Sequence, residues 1–118
     1  MIPRLLREYL LQDAGSYPVV TLTGPRQSGK TTLARAAFPE HAYVSLEETD
    51  TRAFAREGPR GFLERFPGPV VIDEAQRVPD LLSHLQAPVD HDPRPGRFVL
   101  TGSQNILLME RYERRRLK

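Results

Sequence analysis

The run Pro18-Val19-Val20-Thr21-Leu22-Thr23 leads without a spacer into Gly24-Pro25-Arg26-Gln27-Ser28-Gly29-Lys30-Thr31, and this junction constrains the chain more than any other feature. A near-continuous apolar, β-branched segment reads as a strand buried on both faces, as parallel sheets require. The octet fits G-x-x-x-x-G-K-[ST] at every fixed position. Thr31 to Phe38 then reads as a helix, with Leu33 and Ala37 on one side and Pro39 as its stop. Strand, glycine loop and helix in that order converge backbone N–H groups at a helix N-terminus, which is what gripping a polyphosphate requires. Gly24 and Gly29 supply the backbone freedom. Lys30 is placed to reach the β- and γ-phosphates as a point charge, and the Thr31 hydroxyl to ligate Mg²⁺. Pro25, Arg26, Gln27, Ser28 and Thr32 complete the expected binding segment.

The remaining chain alternates strand and helix patterns. Ile2, Leu5, Leu6, Tyr9 and Leu10 recur at helical steps, with Gly15 as an end point. Ala42 to Leu46 is a second strand, and Thr49 or Asp50 is expected to cap a helix over Thr51 to Arg56. Phe62, Leu63 and Phe66 mark a short helix closed by Pro67-Gly68-Pro69. Val70-Val71-Ile72-Asp73-Glu74 is the third strand. Pro79 to about Val89 carries Leu81, Leu82, Leu85 and Val89 at helical spacing, after which Asp90 to Gly96 reads as a loop. Arg97 to Thr101 is a fourth strand, and Ile106 to Lys118 a final helix. The expected class is α/β, with a mostly parallel sheet of about four strands flanked by helices.

Asp73 closes a buried apolar strand, so its carboxylate should emerge at the carboxyl edge of the sheet, beside the phosphate loop, where it can hold Mg²⁺. The adjoining Glu74 is expected to orient or deprotonate the water that attacks the γ-phosphate. Thr101-Gly102-Ser103-Gln104-Asn105 ends the fourth strand with small polar groups that either sense the γ-phosphate or form a plain strand-to-helix turn capped by Ser103. His84 and His91 lie seven apart with Asp90 and Asp92 nearby, a pattern that a solvated helix face explains without a metal.

A chain of 118 residues with 39% hydrophobic content has room for one core and no second domain. The absence of cysteine excludes disulfides and thiolate metal sites, and suits a cytoplasmic location. No apolar stretch approaches the ~20 residues that span a bilayer, so no membrane role is expected. A net charge of +2 does not imply nucleic acid. The basic residues Arg111, Arg114, Arg115, Arg116 and Lys118 crowd the C-terminus, where a charged helix end is a commoner explanation than contact with nucleic-acid phosphates or an acidic partner.

The stretches GPRQSGKTTLAR, YVSLEE, VVIDEAQRVPDLL and RFVLTGSQNILLM resemble the N-terminal core of prokaryotic AAA-superfamily ATPases, over nearly the whole chain up to about Met109. The resemblance implies a P-loop NTPase-like fold and ATP as the nucleotide. It gives Lys30 and Thr31 the Walker A roles, Asp73 and Glu74 the Walker B roles, and Ser103, with Thr101 as substitute, the role of first sensor. Relatives of this kind continue into a serine-rich segment, a fifth strand, further helices and a C-terminal domain of uncertain function. Here the chain reads Glu110-Arg111-Tyr112-Glu113-Arg114-Arg115-Arg116-Leu117-Lys118 and stops. The expectation is a single partial core over residues 1–118, lacking the fifth strand and lid, with residues 110–118 as a divergent basic tail. In such folds the fifth strand lies beside the first, so its absence would leave Val19, Val20 and Leu22 on an unprotected edge.

An arginine finger is worth roughly 10³ to 10⁵ in phosphoryl-transfer rate. It would have to come from a second copy in a homo-oligomer, from a missing C-terminal portion, or from Arg77 or Arg97. Binding of ATP with Mg²⁺ is therefore expected more firmly than its hydrolysis. The alternative is a catalytically silent interaction module with a remnant nucleotide site. A small-molecule kinase is disfavoured, because no segment offers an acceptor pocket and the Asp73-Glu74 pair favours water as acceptor.

Overall fold

The computed structural model describes residues 10–23 and 29–102. Four strands, β1 (Val19–Thr23), β2 (Ala42–Ser45), β3 (Val70–Asp73) and β4 (Phe98–Gly102), form one sheet in the order β1-β4-β3-β2, all parallel. The helices are α1 (Lys30–Ala37), α2 (Thr49–Glu57), α3 (Pro59–Glu64) and α4 (Gln86–His91), with 3₁₀ turns at Ala75–Arg77 and Pro79–His84. This is the α/β, P-loop NTPase-like architecture expected from the sequence, a parallel sheet flanked by helices.

Side chains alternate across a strand, and the two cores follow that period. Val70, Ile72, Phe98 and Leu100 point to the face covered by α2, α3, α4 and the 3₁₀ turns, where they pack with Leu46, Phe62, Leu81 and Leu85. Val71, Val99, Val20 and Leu22 point to the other face, against Leu33, Ala34 and Phe38 and against Leu10 and Ala14. Burial on both faces explains why β3 and β4 are buried at every position.

Residues 10–14 are helical, and Gly15 closes that turn by donating to the carbonyls of Leu11 and Gln12. The rest of the leading helix read from Ile2, Leu5, Leu6 and Tyr9 lies outside the described residues, as does the expected final helix from Ile106. β1 and β2 are the outer strands of the described sheet. The Val20 and Leu22 side chains are nonetheless buried, because residues 10–14 and α1 cover their face.

Several boundaries differ from the sequence reading. The expected helix from Pro79 to Val89 is two pieces, a 3₁₀ stretch and α4. Pro88 is the cause: in a continuous helix its ring would clash with the His84 carbonyl and remove a hydrogen bond, so the break falls one turn before it. Helix α2 begins at Thr49, with Glu48 as its cap and no side-chain capping bond, rather than being capped by Thr49 or Asp50. Strand β4 starts at Phe98, one residue after Arg97, whose guanidinium donates to the Phe66 and Gly68 carbonyls at 3.0 and 2.8 Å. Strand β3 stops at Asp73, because Glu74 takes the left-handed conformation at φ 57°.

Candidate functional site

In an all-parallel sheet every strand ends on the same side, so the carboxyl ends of β2, β3 and β4 meet the N-terminus of α1. Parity then selects the side chains. Val71 and Val99 face α1, so Asp73 and Thr101, two residues on, face it as well. On β2, Tyr43 and Ser45 share that face, in register with Val71 and Asp73.

Gly29 precedes α1 in the left-handed conformation, φ 86°, which glycine adopts without steric cost. Lys30 and Thr31 therefore begin the helix, where backbone N–H groups have no partner within the helix. The Thr31 hydroxyl donates to Asp73 Oδ1 at 2.8 Å. Thr101 donates to the same oxygen. Tyr43 donates to Oδ2 at 3.0 Å, and the Ser45 hydroxyl lies 3.4 Å from it. Each oxygen of the carboxylate thus has two hydroxyl neighbours. Asp73 is only 7% exposed, so hydroxyl donors replace the water that burial removes. All four donors are neutral, and among the described residues no cation pairs with Asp73. Its negative charge stays available to a cation.

The next residue is satisfied differently. Glu74 Oε2 lies 3.4 Å from Lys30 Nζ, both side chains 6% exposed, and Glu74 Oε1 accepts from Gln76 Nε2 at 2.7 Å. The pair is internally neutral. Its left-handed backbone is uncommon for a residue with a Cβ and is found where surrounding contacts enforce it. Here the turn swings Glu74 off the strand and onto Lys30.

Gly29, Lys30, Thr31, Thr32, Glu47, Asp73 and Glu74 line one cleft of about 230 Å³. Six of these seven are among the residues that the sequence singled out for binding, metal or catalysis. Gly24, Pro25, Arg26, Gln27, Ser28 and Ser103 lie outside the described residues. Arg97 sits before β4, at the opposite edge of the sheet, with its guanidinium on the Phe66 and Gly68 carbonyls and over the Phe98 ring. It is therefore removed as a substitute arginine finger. His84 is exposed and donates from Nδ1 to the Asp80 carbonyl at 2.9 Å.

Sequence reasoning missed Tyr43, Ser45, Glu47 and Gln76. The only available signal was Tyr43 and Ser45 at alternate positions of a strand, which gives a shared face but not the neighbour it meets. Burial pushes the Tyr43 phenol up, and its hydrogen bond to Asp73 adds to that. Arg35, one turn after Thr31 on α1, lays its guanidinium over the Tyr43 ring, 4.3 Å from the centroid.

Comparison with known proteins supports the fold class. The sequence profile described as an AAA domain matches residues 16–116. The uncharacterized proteins Rv2008c of Mycobacterium tuberculosis and Mb2031c of Mycobacterium bovis are each 44% identical to this chain over 89 residues, which is 73% of the chain and 20% of each relative. The matched segment is thus about a fifth of those proteins' length. No helix among the described residues is long and apolar enough to cross a membrane.

Proposed function

This chain belongs to the AAA domain family, and on that premise we propose that it binds ATP with Mg²⁺ in the cleft at the α1 N-terminus and hydrolyses it to ADP and phosphate. The observation that carries the reading is the convergence of Lys30 and Thr31 with Asp73 and Glu74, residues more than forty positions apart, across that one cleft. A cation, helix N–H groups and a hydroxyl face two carboxylates, which is a polyanion site beside a metal site.

The donor set fits Mg²⁺. Thr31 and Asp73 offer oxygen only, the hard donors that this ion prefers, and one carboxylate with one hydroxyl leaves positions for water and phosphate. When bound, the ion would neutralise charge on the phosphate oxygens as the terminal bond breaks. Lys30 must exchange Glu74 for phosphate oxygens. That exchange releases the Glu74 carboxylate, within the same cleft, to accept a proton from the attacking water. Ser103 keeps the sensing role in this reading, with Thr101, whose hydroxyl reaches Asp73, as its substitute. The reading assigns the chain to the cytoplasm, where ATP and Mg²⁺ are abundant.

The Lys30–Glu74 pair also supports a second reading, a silent interaction module, because the cation that would hold phosphate is already neutralised. One pair of measurements separates them. Glu74→Gln should bind nucleotide at least as tightly as the parent, since Lys30 loses its carboxylate competitor, while turnover falls below detection. Equal turnover in both proteins removes Glu74 from the mechanism, and no turnover in the parent favours the silent module.

A further inference from the structure

Asp73 is held from two sides, and both lead back to α1. On one side Thr31 donates directly to Oδ1. On the other, Arg35 covers the Tyr43 ring from the next turn of the same helix, and Tyr43 donates to Oδ2. The carboxylate plane is thereby fixed between α1, β2 and β4, the last through Thr101. Without the Tyr43 hydroxyl, Oδ2 would keep only the 3.4 Å contact from Ser45, and the carboxylate could rotate about its Cβ–Cγ bond. A rotated Asp73 no longer presents the same oxygen toward Thr31 and the cleft.

We propose that Tyr43 is a positioning residue for the metal arm of the site: its hydroxyl, seated under Arg35, sets the orientation of Asp73 and so the strength with which Mg²⁺ joins the bound nucleotide. The proposal rests on the ATP and Mg²⁺ reading above and adds a residue that contacts neither phosphate nor ion. Partners that orient a ligating group typically change metal affinity by about 10- to 100-fold when removed. Because Tyr43 acts through Asp73 alone, the effect belongs to the metal-dependent part of binding.

The test is titration of the full chain and of Tyr43→Phe with N-methylanthraniloyl-ATP, in EDTA and across a Mg²⁺ series. Phenylalanine keeps the ring beneath Arg35 and removes only the hydroxyl. The expected result is unchanged affinity in EDTA and a Mg²⁺ midpoint raised by about tenfold. An unchanged or lowered midpoint overturns the proposal, as does a parallel loss with and without Mg²⁺, which is the mark of a merely structural tyrosine. If Tyr43→Phe loses its fold by circular dichroism, Ser45→Ala carries the same test, with a smaller shift in the same direction expected. Failure of the parent to bind the probe overturns the nucleotide reading itself, an outcome distinct from a normal parent with an unaltered variant.

Discussion

At the scale of single residues, the site separates two neighbouring carboxylates by the kind of partner each receives. Asp73 is surrounded by hydroxyls, while Glu74 is paired with a cation and an amide. Tyr43 records the first arrangement in its own ionisation. Its folded pKa lies above the ordinary phenol value of 10.0, because burial and the Asp73 carboxylate both disfavour the phenolate. A phenol held protonated in this way contributes stability that is fully present below the ordinary value. That contribution is lost as pH rises through the higher folded one. Ultraviolet titration of the folded chain should therefore show a late phenolate component above pH 10.0 that Tyr43→Phe removes. If the variant titrates identically to the parent, the phenol is not held as described.

At the scale of elements, what could be read depended on whether the deciding interaction was local. The strand Val19–Thr23 and the helix Lys30–Ala37 with Gly29 before it were legible because apolar period and helix start are local to each segment. The helix from Pro79 was not, because apolar spacing alone cannot register what Pro88 does to the carbonyl four residues earlier. Tyr43 was illegible as part of the site for a different reason. Its role depends on β2 lying beside β3 in a register that sets Ser45 opposite Asp73, across a gap of 28 residues that no local pattern spans. The left-handed turn at Glu74 is of the same kind, since nothing in the Asp73-Glu74 pair announces it.

The connection into β4 illustrates a constraint that is local in sequence and tertiary in cause. Gly96 has φ 73°, donates to the Tyr17 carbonyl at 2.8 Å, and passes so close to the leading helical turn that an added Cβ would lie 3.2 Å from the Ala14 carbonyl oxygen. Gly96→Ala is therefore expected to destabilise the fold by about 1–2 kcal/mol from the left-handed backbone alone, with the contact to Ala14 adding to it. Urea unfolding monitored by circular dichroism measures this, and a midpoint equal to that of the parent contradicts it.

For the whole molecule, the parallel sheet is what converts a short chain into a site. Strands β2, β3 and β4 present Ser45, Asp73 and Thr101 at one edge, while two apolar layers hold the strands at fixed register. Helix α1 packs on one of those layers through Leu33 and Ala34, and this places its first turn, with Lys30 and Thr31, over that edge. In the proposed function this edge grips a polyphosphate through Lys30. The most direct measurement is titration of the full chain with ATP in the presence of Mg²⁺, run beside Lys30→Ala shown by circular dichroism to be folded. Saturable binding by the parent that is lost in Lys30→Ala is the predicted result; no saturation by the parent, or equal binding by both, would contradict it.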